Sequence, residues 1–431
     1  MSRSLKWPLV IFACALFTLA FTSRAQEATQ KDVRYYSQQA RKAYDEKNYA
    51  AYLENMRLAV ELRPEHPTLL YNLAGAYALN GNRQEALSGL SRVAGMGLIY
   101  QPEADEDFNS IRETEEFKRI LKRFELNKAP TVRGSTAFTI HEKGLITEGV
   151  AYDSVEDAFY VSSVRARKIF KVGRDGAAKV FAAQQDGLWS AMGMKVDAKR
   201  RLLWVATAAV PQMLNYLKEE DGKSGVLKFD LRTGRLLNKY VLPNAPRPHW
   251  LGDLTINSRG DVFATDSLTP ALYVIREGGK RLEPLIEGAP FVSPQGLAFD
   301  TEERTLFLAD YSKGLFLYDT KSAKLTQVSA AQNVALLGID GLYFYKGNLL
   351  AIQNGTRPHR VVRISLSKDF ERAERLEVLE ANNPVSDEPT LGVVVKDNFY
   401  YVANSEWGAV DRNGKLSEDK LRDTIILKMK L

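Results

Sequence analysis

Gly149-Val150-Ala151-Tyr152-Asp153, a polar turn and Ala158-Phe159-Tyr160-Val161-Ser162 read as two short apolar strands joined by a tight reversal. The same figure returns along the chain. It recurs as Gly193-Met194-Lys195-Val196-Asp197 with Leu202–Thr207, as Asp253-Leu254-Thr255-Ile256-Asn257 with Asp261–Asp266, and as Gly296-Leu297-Ala298-Phe299-Asp300 with Thr305–Asp310. Gly341-Leu342-Tyr343-Phe344-Tyr345 with Asn348–Asn354 and Leu391-Gly392-Val393-Val394-Val395 with Asn398–Asn404 complete the set. The starts are separated by 44, 60, 43, 45 and 50 residues. Four-stranded propeller blades take about 40–50 residues each. The sequence therefore predicts six blades, with an insertion at Pro211–Lys223 before the third. A two-sheet sandwich would not explain the period. Ring closure is expected from Ala137–His141 pairing with Thr424–Met429, so that the two ends of the domain share one blade.

Outside the repeat the period changes. From residue 30 to 125 apolar residues recur at helical spacing. Two stretches align at a period of 34: Ala40 with Ala74, and Tyr49 and Ala59 before Pro64, against Tyr71-Asn72-Leu73-Ala74, Tyr77, Gly81, Ala86 and Leu90. Small residues at Ala40, Ala74 and Ala86 would let paired helices approach closely. This spacing resembles tetratricopeptide repeats, although Gln39 and Ala40 stand where that family usually has leucine and glycine. Two repeats bury little surface alone, so the stretch from Glu103 through Phe108, Ile111, Phe117, Ile120 and Leu121 is expected to supply a closing helix. Residues 126–136, polar with Pro130 and Gly134, read as a linker. The fold class is thus α+β multidomain: a short helical domain, then an all-β six-bladed propeller over 137–431.

The first 25 residues read as a signal peptide. Arg3 and Lys6 precede an apolar run from Trp7 to Phe21, and Ser23-Arg24-Ala25 offers small residues for cleavage. That run is shorter than the roughly 20 residues a spanning helix needs. Cleavage would remove three cations and no acid, so the net charge of +6 would fall to +3. It would also remove Cys14, the only cysteine. The mature chain then has no membrane span, no thiol chemistry and too little charge to suggest nucleic acid. The expected location is periplasmic or secreted.

The propeller geometry also selects a site. The residue entering each innermost strand should face the channel at one mouth: Glu148, Met192, Gly252, Gln295, Asp340 and Thr390. The ends of the returning strands should ring it: Ser162, Thr207, Asp266, Asp310, Asn354 and Asn404. Converging carboxylates repel unless one takes a proton or a cation joins them. Oxygen ligands suit a hard divalent cation. His249, Trp250, Arg357, Glu388 and Trp407 flank these positions, so the mouth is expected to bind a small-molecule ligand. The helical repeats are expected either to dock a protein partner or to cap the propeller.

Thr147-Glu148-Gly149-Val150, Gly252-Asp253-Leu254, Pro294-Gln295-Gly296-Leu297-Ala298 and Ile339-Asp340-Gly341-Leu342 resemble the superfamily of senescence-marker protein and gluconolactonases, with paraoxonases more distant. That resemblance implies an axial divalent cation, Ca²⁺, held by a Glu, two Asn and an Asp, and hydrolysis of lactones or esters beside it. Carried over position by position, Glu148 and Asp340 match the acids. Gly252 and Gln295 replace the asparagines. The implied metal set is Glu148, Gln295 and Asp340, with Asp340 also the base. Strand alternation would turn Asp253 away from the axis.

Overall fold

The computed structural model describes residues 32–173, 176–288 and 290–431. The stretch read as a signal peptide lies outside them. Five helices come first: α1 (Val33–Asp45), α2 (Tyr49–Leu62), α3 (Pro67–Leu79), α4 (Arg83–Gly95) and α5 (Glu115–Lys128). Local chemistry sets their starts. The side chains of Asp32, Asn48, His66 and Thr114 accept from the first-turn amides of α1, α2, α3 and α5. Pro67 opens α3, where its missing N–H costs nothing. Ala40, Ala74 and Ala86 are buried. A Cβ on Gly89 would meet that of Ala74 at 3.0 Å, so α3 and α4 touch almost backbone to backbone. Phe108, Phe117 and Phe124 then close the helical core from α5 and the short turn before it.

Six sheets follow, one per sequence copy. The first five blades start at the inside from the strands Thr147–Asp153, Ser190–Asp197, Leu251–Ile256, Pro294–Phe299 and Ile339–Tyr345 and run outward in chain order, except that the fifth adds an outermost parallel strand, Ser329–Ala330, from before its inner strand. The sixth takes its inner strands from Gly392–Val395 and Asn398–Val402, its third from Asp423–Lys430 and its outermost from Ser135–Lys143. Phe138 faces Ile426 and Ile140 faces Thr424, so the ring closes as the pattern requires. The long insertion lies within the second blade, between Ala208 and Ser224. Its Met213 and Tyr216 pack with Trp407, Val410 and Leu416 from the loop that follows the second strand of the sixth blade. The two loops together wall one side of the mouth.

A β-bulge interrupts the inner strand of each of the first five blades, at Glu148-Gly149, Met192-Gly193, Gly252-Asp253, Gln295-Gly296 and Asp340-Gly341. Bulges re-aim side chains. The glycines are required because adjacent blades nearly touch there. A Cβ on Gly149 would lie 3.1 Å from the carbonyl oxygen of Met192, and one on Gly341 3.1 Å from that of Thr390. Among the described residues no helix is long and apolar enough to cross a membrane.

Candidate functional site

The bulges decide what reaches the axis. Of the six positions expected to face the channel, Met192 joins the apolar core instead, and the Thr390 hydroxyl donates to the Glu148 carbonyl at 2.7 Å. The polar ends of the returning strands are mostly turned into the backbone. Asp310 accepts from the amides of Val292, Ser293, Ser312 and Lys313. Asp266 accepts from Trp250, Leu268 and Thr269. Ser162, Thr207 and Asn404 likewise bond backbone groups. These side chains are clamps between strands and loops, and the expected polar ring reduces to Asn354.

Asn354 is the exception because its amide nitrogen donates to Asp340 Oδ2 at 2.7 Å and to the Pro389 carbonyl at 3.0 Å. Its own oxygen accepts from the Tyr311 hydroxyl at 3.0 Å. One fixed donor thus orients Asp340, which is 9% exposed. Glu148 is oriented from the other side: the Trp407 indole N–H donates to its Oε2 at 2.7 Å. Trp250 lies beside Trp407, ring centroids 6.2 Å apart.

Asp253 departs from the sequence expectation. It is 2% exposed, and Lys195 Nζ lies 3.4 Å from its Oδ1. The same ammonium sits 5.7 Å from the ring centre of Tyr343. Lys195, Asp253 and Tyr343 come from blades two, three and five, which can meet only in the central channel. The bulge at Gly252-Asp253 breaks the alternation that would have turned this side chain outward.

Burial above all holds Glu148 well above the usual carboxyl range. The charge of Asp340 adds to this, the Trp407 donor opposes it, and the charges of Glu388 and Asp253 reinforce it. Asp340 is pushed up to about 7, first by burial, against the Asn354 hydrogen bond and with the charges of Asp253 and Glu388. Burial also raises Glu388, with Asp387 adding and Arg357 opposing. Burial raises Asp253 too, and Lys195 partly offsets it. Four carboxyl groups therefore feel one another in a confined, poorly compensated space.

The structure joins Asp340 to Asn354 directly, and joins Glu148 and Glu388 to them through their fields. His249 stands apart, its Nδ1 2.5 Å from Asp266 Oδ2. Arg357 is exposed at the rim. Gln295 donates its amide to Ser293 Oγ at 3.1 Å, and its oxygen lies 3.3 Å from where a Cβ on Gly252 would be. The longer glutamine thus reaches into the space that an asparagine at 252 would fill. The donors suited to a hard cation are two carboxylates and this carboxamide, with Gly252 supplying none. Among the described residues no three His, Cys, Asp or Glu side chains are grouped closely enough to hold a metal. A cation here would take its remaining oxygens from water or ligand. Tyr311, Lys195 and the Trp407–Glu148 bond were not legible beforehand. Trp407 lies 259 residues from Glu148 in sequence, and only the ring brings them together.

The helical unit sits over the same mouth. Arg63 Nη2 donates to the Ser312 carbonyl at 2.6 Å, and the Ile99 amide donates to the Arg357 carbonyl at 2.7 Å. The Arg360 guanidinium, 1% exposed, crosses to the carbonyls of Met96 and Gly97 beyond α4.

No protein-family model matches the chain, and no curated protein does either. Solved structures with a similar course include the gluconolactonase XC5397 of Xanthomonas campestris, at 14% identity and a TM-score of 0.45 over 68% of this chain and 87% of that one. Virginiamycin B lyase from Staphylococcus aureus gives 12% and 0.46 over 68% and 98%. The PQQ-bound aldose sugar dehydrogenase of Streptomyces coelicolor gives 14% and 0.46 over 70% and 99%. These three differ in chemistry, and none of it transfers to this chain at such distances. Its architecture rests on its own strand order: six blades, the last closed by strands from both ends of the domain.

Proposed function

We propose that this protein is an exported hydrolase of lactones or related esters, working at the propeller mouth with a hard divalent cation, Ca²⁺, held by Glu148, Asp340 and Gln295. The observation that supports this most is the convergence of Glu148, Asp253, Asp340 and Glu388 on one channel, where among the described residues Lys195 alone forms an ion pair with any of them and Arg357 acts on Glu388 through its field. When bound, the cation would polarise the substrate carbonyl and acidify a water. Asp340 has one oxygen committed to Asn354, and its other oxygen would accept the proton of an attacking water. Water adds to the carbonyl carbon, the ring C–O bond breaks and the ring oxygen takes up the proton, leaving a hydroxy acid. Trp407 fixes the Glu148 carboxylate, and Trp250 and Trp407 form an aromatic wall beside it. Arg357 and Glu388 stand at the rim, where they would orient the substrate. The helical unit, of tetratricopeptide type, forms the far wall.

The decisive test measures metal content and turnover together. Purified protein is stripped with chelator, reloaded with Ca²⁺ or Mn²⁺, and assayed on a panel of simple lactones. Stoichiometric uptake that is lost in Asp340→Asn, with opening rates falling about 100-fold or more, is expected. Absence of uptake, or uptake unchanged in Asp340→Asn, would overturn the reading. The missing ligand at Gly252 favours a second reading, a propeller that binds a ligand at the same mouth without turning it over. Stoichiometric metal with no opening of any lactone would select that one.

A further inference from the structure

A cleft of about 1280 Å³ separates the helical unit from the mouth. One wall is the turn from Leu62 to Pro67 between α2 and α3, together with Leu98–Tyr100; the other is made by blades four and five. Its inner end includes Tyr311 and Asn354, and Asn354 bonds Asp340. Asn354 therefore stands between the cleft and the acid centre, with Asp340 directly behind it. Sites for compact ligands run to about 300–1,000 Å³, so this one has room for something longer.

Its lining carries a cationic excess, Arg34, Arg63, Lys313 and Arg357 against Asp32 and Glu65. Arg63, Lys313 and Arg357 all border the cleft, and among the described residues none has a carboxylate within the 4.0 Å of an ion pair. Asp32 and Glu65 also border it; Asp32 is committed to capping α1, and Glu65 acts on Arg63 through its field without an ion-pair contact. Arg63 is half-buried and spends only Nη2 on the Ser312 carbonyl, which leaves Nε and Nη1 as further charged donors. Beside these cations stand two bare apolar side chains, Leu62 at 51% exposure and Val292 at 45%. A cation pair next to exposed aliphatic surface suits a carboxylate carried on an aliphatic stem.

We propose that the cleft is a second subsite, in which Arg63 of the helical unit and Lys313 of the fourth blade bind a carboxylate at the far end of the substrate. The substrates would then be elongated acidic molecules, and the helical unit would take part in choosing them. This rests on the reading of the mouth as the reacting centre, yet binding at the cleft is measurable without turnover.

Calorimetric titration of the full chain with hexanoate and with hexanamide, equal in length and different in charge, tests it. Hexanoate is expected to bind 1:1 and at least tenfold more tightly than the amide. That preference should disappear in Arg63→Gln and in Lys313→Glu, and should survive in Asp340→Asn. Equal binding of acid and amide, or a preference untouched by both cleft variants, would overturn the subsite. Among the described residues Lys313 makes no hydrogen bond or ion pair to the helical unit, so Lys313→Glu decides the matter even if Arg63→Gln loosens their packing. Should the charge preference hold while no lactone is opened, the hydrolase reading falls and the subsite stands.

Discussion

Single residues at the bulges carry two opposite demands: side chains that must meet at the axis and backbones that must not collide. Gly296 shows the second. A Cβ there would run into the carbonyl oxygen of Asp340 and lie 2.6 Å from the Leu342 amide nitrogen, both main-chain atoms of the next blade. Gly296→Ala is therefore expected to destabilise the protein by about 1–3 kcal/mol, as overpacking does, measured as a lower urea midpoint with unchanged slope. Asn354 shows the first. Asn354→Leu removes the donor that fixes Asp340 and leaves the Pro389 carbonyl unsatisfied. Ca²⁺ affinity should fall about 10- to 100-fold, the usual effect of losing a ligand's outer partner, while far-UV circular dichroism stays unchanged. Affinity within twofold of the parent would show that Asp340 holds nothing there.

Elements begin and end for reasons that are mostly local, and one of those reasons titrates. His66 caps α3 through Nδ1, which accepts from the Leu69 amide and must be neutral to do so. Burial, with the nearby Arg63 charge, lowers its pKa from 6.5 to about 4. The unfolded chain takes up this proton first as pH falls below 6.5, so stability present above that pH is lost progressively down to about 4. The loss attributable to His66 is on the order of 2–3 kcal/mol. His66→Asn keeps a good cap without the titration. Chemical denaturation from pH 7 to 4 should show a shallower decline for His66→Asn than for the parent, and parallel curves would refute the assignment.

At the scale of the molecule, Arg360 joins the two units. It reaches from the third strand of the fifth blade to the carbonyls of Met96 and Gly97, with Nε on Gln353 Oε1 at 2.8 Å. Burial brings its pKa down to about 10, so it remains charged at neutral pH. In place of a carboxylate it meets carbonyls at the C-terminal end of α4, where the helix dipole favours a cation. Arg360→Leu leaves those acceptors without a donor and should cost roughly 2–4 kcal/mol. Scanning calorimetry should then resolve an early transition for the helical unit that the parent lacks. A single transition at the parent temperature would mean that the apolar contacts alone hold the units together.

The repeat of short apolar strands, the closing strand and the helical spacing ahead of them were legible in the sequence, because each depends on periodicity and on neighbours within a few residues. Glu148, Asp340 and Asn354 were legible for the same reason, since counting along a regular blade finds its mouth. Tertiary structure decided where the side chains of the other mouth residues point. Bulges brought Asp253 to the axis against strict alternation, Met192 went into the core, and amides of the adjoining loops and turns took up Asp266 and Asp310. It also decided what lies opposite the acids: Trp407 on Glu148, and the helical unit across the cleft. Those contacts join segments hundreds of residues apart, where no local pattern in the sequence can specify a distance.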